Sequence, residues 1–241
     1  MGGTMNPDTK QKLMSVSTAT LATALFKRGL RNQMIQGVLP VGQPKGRNMV
    51  GPAYTLRYIP AREDLNTIDV FKDPNHPQRK GVEECPEGAV MVIDCRKDPR
   101  AASAGSILVT RMMVRGCEGI VTDGGFRDSP EIGEMEVHAY HARPSAPTNL
   151  TFHQAIDLNV PIGCGDAPVF PGDIVVGDGE GVIVIPAHLA DDIAQEAHEM
   201  TAYEDFVTEC VQAGETIVGL YPATKEENLA RFAEWRRENG R

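Results

Sequence analysis

The sequence predicts an α/β protein with a mixed sheet, and three features of its pattern support that class. Residues 89–95 and 119–123 are short apolar runs typical of buried strands, and helical spacing fills residues 105–115 between them. A strand, a helix and a strand in one short stretch form a βαβ unit, whose two strands are parallel. Residues 173–176 and 182–185 are further short strands joined by a glycine-rich turn, as in a hairpin.

Helices are predicted on both sides of this segment. On the N-terminal side, a helix over residues 17–28 follows a shorter helix over 9–14, and a strand is predicted over 51–58. On the C-terminal side, apolar residues recur at helical spacing over 189–210. A final helix is predicted from Thr224, because Thr224 and a glutamate three residues later fit a capping box. Such a terminal helix often docks on a neighbouring subunit.

We expect one domain over residues 1–241. It carries an N-terminal extension over 1–14, a long surface excursion over 60–87 and C-terminal helices over 187–241. The excursion is rich in Asp, Asn, Pro, Lys and Arg, so we expect a loop with at most one helical turn. Loops of this length inside a compact domain are often functional or disordered.

The composition argues against several classes of protein. The net charge of −9 repels phosphate backbones, so we expect no nucleic-acid partner. No apolar run approaches the length of a membrane span, and the first residues do not combine a basic stretch with an apolar one, so we expect neither a membrane span nor a signal peptide. The five cysteines are odd in number and lack metal or redox spacing, which suits free thiols in the cytoplasm.

The most informative stretch is the sequence DGGFRD at residues 123–128, directly after a buried strand. In parallel α/β proteins, ligands bind at the carboxyl ends of strands, and glycines there let the backbone approach a ligand closely. Arg127 offers a planar fork for a carboxylate or an enolate, and Asp128 offers an oxygen ligand for Mg²⁺ or Mn²⁺. The alternative is a strand-ending turn with a surface ion pair that has no function.

A second candidate element is the sequence AGSIL at residues 104–108, at the predicted start of the central helix. Unpaired N–H groups at a helix N-terminus bind anions. The alternative is an ordinary helix start with a solvated Ser106. Other polar clusters favour structural roles, among them the HxxH pair His138 and His141, and Asp178 in the glycine-rich turn.

Six stretches of the chain together form a recognisable pattern. They are residues 17–25 (STATLATAL), 51–56 (GPAYTL), 88–95 (GAVMVIDC), 104–108, 116–128 (GCEGIVTDGGFRD) and 171–186 (PGDIVVGDGEGVIVIP). In these stretches the chain resembles the RraA-like family, which includes class II 4-hydroxy-4-methyl-2-oxoglutarate (HMG)/4-carboxy-4-hydroxy-2-oxoadipate aldolases and proteins named regulator of ribonuclease activity A. The resemblance implies an α/β/β sandwich of the swivelling-domain type with a mixed sheet, assembled as a homotrimer or a dimer of trimers.

The resemblance also implies a set of site residues. Arg127 would contact the pyruvate moiety, and Asp128 would bind the metal, Mg²⁺ first and Mn²⁺ second. Glu204, or else Glu199, would reach the water ligands of that metal from the C-terminal helix of a neighbouring subunit. Backbone amides of the helix-start loop would hold the pyruvate carboxylate, and the residues are Gly105, Ser106, Ile107 and Leu108.

Three residues depart from the family pattern, and they bear on the substrate more than on the metal and pyruvate chemistry. Ser106 stands where the family often has Glu or Gly, Arg111 where it has Ala, and Cys95 where Gly is common.

The resemblance implies a divalent-metal-dependent lyase that cleaves a small 2-oxo acid to pyruvate, or decarboxylates oxaloacetate, through an enolate. Two alternatives remain open. One is a dehydratase or hydrolase of a sugar-derived oxo acid that uses the same site. The other is a non-catalytic regulator that binds a ribonuclease or another protein, for which an acidic surface is suitable.

Overall fold

A computed structural model describes residues 5–43 and 45–241, so the first four residues of the predicted N-terminal extension lie outside the described part. Strands and helices alternate along the chain, which confirms the α/β class. The strands are β1 (Met34–Ile35), β2 (Leu39–Pro40), β3 (Met49–Pro60), β4 (Val90–Asp94), β5 (Ala102–Ala104), β6 (Gly119–Thr122), β7 (Gly125–Phe126), β8 (His138–His141), β9 (Arg143–Pro144), β10 (His153–Leu158), β11 (Ile162–Cys164), β12 (Ala167–Val169), β13 (Ile174–Gly177) and β14 (Val182–Ile185). The α-helices are α1 (Pro7–Leu13), α2 (Thr18–Lys27), α3 (Pro77–Glu84), α4 (Ser106–Val114), α5 (Ser129–Glu134), α6 (Ala190–Gln212) and α7 (Glu226–Asn239).

The main sheet is mixed, in the order β1-β14-β13-β3-β4-β6-β8-β2, with β10 also paired to β3. Strands β3, β4, β6 and β8 run parallel, and β4 pairs with β6 from Val90 opposite Gly119. The predicted βαβ unit is therefore confirmed, with α4 as its helix. The predicted hairpin is also confirmed, because β13 and β14 pair antiparallel.

A second, smaller sheet positions the candidate site. Strands β5, β7 and β9 form a parallel sheet of three, and each follows a strand of the main sheet along the chain. The chain thus leaves β4, β6 and β8 in turn and re-enters a neighbouring sheet. Because parallel strands end at the same edge, the loops after β5 and β7 lie side by side.

Apolar residues on both faces of the main sheet form its core. On one face, Met91, Ile93 and Ile120 pack with Met112 of α4 and Phe126 of β7. Further along the same face, α2 and α6 pack on β13 and β14, with the predicted stripe of α2 fully buried; its residues are Leu21, Ala24 and Leu25. The opposite face of the sheet packs against β11 and β12. No helix within residues 5–43 and 45–241 is both long and apolar enough to cross a membrane.

The expectation of a surface loop with at most one helical turn over residues 60–87 is wrong, because this segment contains two helices. A 3-10 helix spans Ile68–Lys72, and α3 is a full helix that packs against α4 and β10. Gln78 and Val82 of α3 are buried. Only one apolar residue marks the inward face of α3, so no helical pattern is visible in the sequence. Gly81 lies close to the side chain of Leu158, since a Cβ there would be 2.8 Å from Leu158 Cδ2.

The two C-terminal helices are confirmed, but the predicted capping box is wrong. Helix α7 begins at Glu226, and its N-cap residue Lys225 makes no capping hydrogen bond through its side chain. Thr224 instead closes the preceding turn, with its N–H donating to Gly219 O at 3.2 Å. Phe232 of α7 packs on Phe206 of α6 at 5.7 Å between ring centroids, so α7 docks on its own chain.

Candidate active site

The two motifs singled out in the sequence meet at the edge of the smaller sheet. Ala104 at the end of β5 pairs with Phe126 at the end of β7, and the Arg127 N–H donates to Ala104 O at 3.1 Å. The next residues along each strand are therefore neighbours. Gly105 begins the turn into α4, and Asp128 begins the turn into α5.

Gly105 lies directly beneath the Arg127–Asp128 pair. A Cβ at Gly105 would lie 2.6 Å from Arg127 Cγ and 2.8 Å from Asp128 Oδ2, closer than real Cβ contacts. The absence of a side chain therefore lets both charged residues cross the start of α4. Glycine at this position is required by close approach rather than by a left-handed backbone.

Asp128 has an unusual backbone conformation, and only one of its two carboxylate oxygens forms hydrogen bonds with the described residues. Its φ of 58° and ψ of 33° are left-handed, a region that costs free energy for a non-glycine residue and recurs at functional sites. Oδ2 accepts hydrogen bonds from Ser106 N at 3.2 Å and Ser106 Oγ at 3.3 Å, and Arg127 Nε lies 3.5 Å away. No donor among the described residues reaches Oδ1, so that oxygen is available to a ligand.

The helix-start amides are not equally available, which corrects the expectation that Ser106, Ile107 and Leu108 act together. The Leu108 N–H and the Val109 N–H both donate to Gly105 O, at 3.1 and 3.2 Å, because the first turn of α4 closes on itself. The Ser106 N–H is committed to Asp128. Within residues 5–43 and 45–241, only the Ile107 N–H of these three lacks an acceptor.

A pocket of about 320 Å³ opens over these residues. Five predicted residues line it, and Ser106 does not; the five are Gly105, Ile107, Leu108, Arg127 and Asp128. The side chains of Arg127 and Asp128 are 51% and 35% exposed, so both are accessible from the pocket. This volume is at the small end of ligand pockets and suits a small substrate.

The excursion contributes a wall that the sequence reading missed. Phe71, Gln78 and Arg79 line the pocket together with the start of α4. Gln78 Nε2 donates to Ser103 O at 2.6 Å and to Tyr58 Oη at 3.0 Å, which anchors α3 to the sheet. The only sequence signal for this wall was the unusual length of the 60–87 segment.

Asp123, the first residue of the DGGFRD motif, organises the loops beneath the site. Its buried carboxylate accepts the N–H groups of Cys95 at 2.6 Å, Lys97 at 3.0 Å and Gly165 at 3.0 Å. Burial raises the pKa of Asp123, while these backbone hydrogen bonds lower it. The next residue, Gly124, has no room for a side chain, because a Cβ there would lie 2.7 Å from Cys95 Sγ. Asp123 therefore stabilises the loops around it and does not line the pocket.

The two C-terminal glutamates do not line the pocket of their own chain. Glu204 accepts hydrogen bonds from Thr20 Oγ1 at 2.9 Å and from Tyr221 Oη at 3.2 Å. Glu199 forms an ion pair with Arg236, with Nη1 2.5 Å from Oε2. Both were expected to act in the site of a neighbouring subunit. Because the structure contains one chain, that role stays a prediction.

The remaining polar candidates have structural surroundings. His138 and His141 are three positions apart on β8 and therefore face opposite sides of the sheet, and burial lowers the pKa of each to about 4. Asp178 accepts the N–H and hydroxyl of Thr18, so it caps α2 from outside the helix. No group of three metal-ligating side chains occurs in the described part of the chain.

The donor set at Asp128 fits a hard cation with few protein ligands. Mg²⁺ keeps several waters and is commonly bound through one or two carboxylates, whereas Zn²⁺ prefers three or four N and S ligands. The free Oδ1 in an open pocket therefore suits Mg²⁺ or Mn²⁺.

Comparisons with known proteins agree with this fold and these motifs. Residues 18–184 match the family described as RraA-like: Aldolase/RraA. A protein of Halalkalibacterium halodurans, provisionally named 4-hydroxy-4-methyl-2-oxoglutarate aldolase, is 32% identical over 139 residues. That match covers 58% of this chain and 66% of the relative, slightly less than two thirds of its length.

Two solved structures share the architecture. RraAS2 from Streptomyces coelicolor, described as an unusual member of the RNase ES inhibitor RraA protein family, aligns with a TM-score of 0.74 and 26% identity over 85% of this chain and 97% of that one. An uncharacterized protein from Pseudomonas syringae pv. tomato aligns with a TM-score of 0.78 at 21% identity, over 92% and 96% of the two chains, which shows likeness of fold alone. The α/β/β sandwich with terminal helices is thereby confirmed, and because the family match includes well over half of the chain, the protein belongs to the RraA-like family.

Proposed function

We propose that this protein is a divalent-metal-dependent lyase that cleaves a small 2-oxo acid and releases pyruvate. The observation that carries the proposal is the pairing of Arg127 with Asp128 across Gly105, at the floor of an open pocket. A guanidinium and a carboxylate with one unused oxygen are the two groups needed to hold an oxo acid and a cation together. The similarity to a relative provisionally named as an aldolase supports the same chemistry.

In this proposal the chain's own residues bind and orient the substrate. The Ile107 N–H, at the start of α4, donates to the carboxylate of the 2-oxo acid. Arg127 donates to the 2-oxo oxygen, where negative charge develops as the C3–C4 bond breaks and its electron pair moves into the enolate. Mg²⁺ held by Asp128 would supply Lewis-acid polarisation of the same oxygen.

Two proton movements complete the balance. The C4 hydroxyl loses its proton as the leaving fragment becomes a carbonyl compound, and C3 of the enolate gains a proton to give pyruvate. Among the described residues of one chain, Asp128 is the only acid that lines the pocket. Our candidate for the general acid and base that transfers these protons is therefore Glu204 of the partner subunit.

We also propose a homotrimer or a dimer of trimers in the cytoplasm. Ile107 is 82% exposed at the rim of the pocket, which leaves an apolar side chain available to a neighbouring copy. All five cysteines are free and buried, which suits a reducing compartment.

Two other functions compete with the lyase. The polar wall formed by Gln78 and Arg79 suits a dehydratase or hydrolase of a sugar-derived oxo acid. The likeness to RraAS2, described as a member of an RNase inhibitor family, supports a regulator that binds a protein.

A substrate panel separates these functions. Pyruvate release from HMG, oxaloacetate and several 2-oxo-3-deoxy sugar acids is measured with Mg²⁺ and with EDTA. We expect release that requires the metal. Conversion of a sugar acid without pyruvate would favour the dehydratase or hydrolase, and a folded protein that binds no Mg²⁺ and converts nothing would favour the regulator.

A further inference from the structure

Arg79 is the second arginine of the candidate active site. It lies on α3, half-buried, and lines the same pocket as Arg127. Its guanidinium carbon lies 4.4 Å from the ring centroid of Phe71, another lining residue. Stacking on an aromatic face restricts the guanidinium plane and leaves its N–H groups directed outward around the ring.

No carboxylate among the described residues lies within ion-pairing distance of Arg79. This contrasts with Glu83, which lies one turn further along α3 and turns away to bind Arg111 of α4 at 2.7 Å. A partly buried guanidinium without a counter-charge keeps its N–H groups available to an anionic ligand. The acid that could have neutralised Arg79 within α3 is committed elsewhere.

The backbone that carries Arg79 is held in place. The neighbouring Gln78 is 3% exposed and is anchored through Ser103 O and Tyr58 Oη. Behind it, Gly81 of α3 lies close to the side chain of Leu158. Arg79 is therefore positioned in the absence of ligand, and a preorganised group loses less entropy on binding.

The charge of the pocket is opposite to that of the protein. The chain carries a net charge of −9, yet the charged residues lining this pocket are Arg79, Arg127 and Asp128. Two cations and one anion leave an excess of positive charge, and a divalent cation at Asp128 would increase it. A ligand with two separated anionic groups would match this distribution.

We infer that Arg79 is a specificity-determining residue that receives a second oxyanion, a carboxylate or a phosphate, on the part of the substrate that leaves when pyruvate is released. The inference rests on the proposed function for the identity of the leaving part. It selects doubly anionic 2-oxo acids over 2-oxo acids that end in an apolar group or a neutral polyol. Arg127 acts on the reacting oxygen, and Arg79 acts on the far end of the same molecule.

The test uses ligands that cannot undergo aldol cleavage because they lack a C4 hydroxyl. Isothermal titration calorimetry with Mg²⁺ compares 2-oxoglutarate with 2-oxopentanoate, which has a methyl group in place of the second carboxylate. The wild type is expected to bind 2-oxoglutarate about tenfold tighter or more, as charge-assisted hydrogen bonds allow. Arg79→Gln should bind the two ligands equally, and Arg79→Lys should keep part of the preference.

Arg62→Gln is the matched control, because it removes an exposed arginine that does not line the pocket and leaves the pair of Glu83 with Arg111 intact. It should keep the wild-type preference. The phosphonate analogue 2-oxo-4-phosphonobutanoate distinguishes the two oxyanions, and the tighter of the two ligands identifies which one Arg79 receives. Equal binding of 2-oxoglutarate and 2-oxopentanoate by the wild type, or a preference that survives in Arg79→Gln, would overturn the inference. Because these ligands are not cleaved, failure of pyruvate release in the substrate panel would leave this result readable on its own.

Discussion

The backbone N–H of Ser106 donates to Asp128 Oδ2 at 3.2 Å, so the first residue of α4 holds the carboxylate expected to bind the metal. This bond joins the two sequence motifs and directs the other carboxylate oxygen, Oδ1, to the pocket. A carboxylate near a helix N-terminus is also favoured by the helix dipole. The geometry at Asp128 therefore depends on how closely the Arg127–Asp128 pair approaches α4.

Replacing Gly105 should disturb that approach without unfolding the protein. In Gly105→Ala the new methyl group would lie 2.6 Å from Arg127 Cγ, so Arg127 must move. We expect kcat/KM for pyruvate release to fall about tenfold or more, since small misplacements of reacting groups are costly. Gly163→Ala is the matched control, because nothing lies within 4 Å of a Cβ at Gly163. Equal activity of the two variants, with unchanged circular dichroism, would contradict the account.

The buried carboxylate of Asp123 should matter for stability. Asp123→Ala leaves the N–H groups of Cys95, Lys97 and Gly165 without their acceptor. We expect the free energy of unfolding in urea to fall by about 2–4 kcal/mol. Asp64→Ala removes an exposed carboxylate that pairs with Arg62, and it should leave that free energy close to the wild-type value. A similar loss in both variants would show that the three buried N–H groups do not depend on Asp123.

Acid should destabilise the protein through its buried histidines. Burial lowers the folded-state pKa of His141 to about 4, below the unfolded value of about 6.5. Between these two values the unfolded chain binds a proton that the folded chain does not. The stabilisation is therefore complete above pH ~6.5 and is lost as the pH falls towards ~4.

His141→Leu tests this contribution. The Nδ1 atom of His141 is buried, and no described residue forms a hydrogen bond with it, so an apolar replacement loses no such bond at that atom. Urea unfolding measured from pH ~7.5 to pH ~4.5 should show a shallower decline in His141→Leu than in the wild type. An identical pH dependence in both proteins would exclude His141 as a source of the acid sensitivity.

The sequence predicts the strands and helices that are long enough to show an apolar run or a helical spacing. The βαβ unit of β4, α4 and β6 is visible from apolar runs and helical spacing alone. The short strands β5 and β7, of three and two residues, carry no period, yet they bring Gly105 beside Arg127. Their pairing is a long-range property that becomes visible only in three dimensions.

The same limit applies to the pocket. Arg127 and Asp128 are recognisable because they follow a buried strand in a specific motif. Arg79 and Gln78 belong to a polar stretch with no apolar stripe, and tertiary contacts with Ser103 and Tyr58 place that helix. The hydrogen bond from the Leu108 N–H to Gly105 O could not be predicted either, because residue types do not determine the hydrogen bonding of a helix's first turn.

The most direct test of the proposed lyase is metal-dependent pyruvate release, coupled to lactate dehydrogenase, by the wild type, Arg127→Ala, Asp128→Asn and the control Arg62→Ala. Arg62 pairs with Asp64 outside the pocket. We predict that the best substrate of the panel is cleaved with Mg²⁺ and not with EDTA. Each pocket substitution should lower kcat/KM by about 10²–10³ while Arg62→Ala stays near the wild type. Pyruvate release that persists at the wild-type rate in both Arg127→Ala and Asp128→Asn would contradict the account.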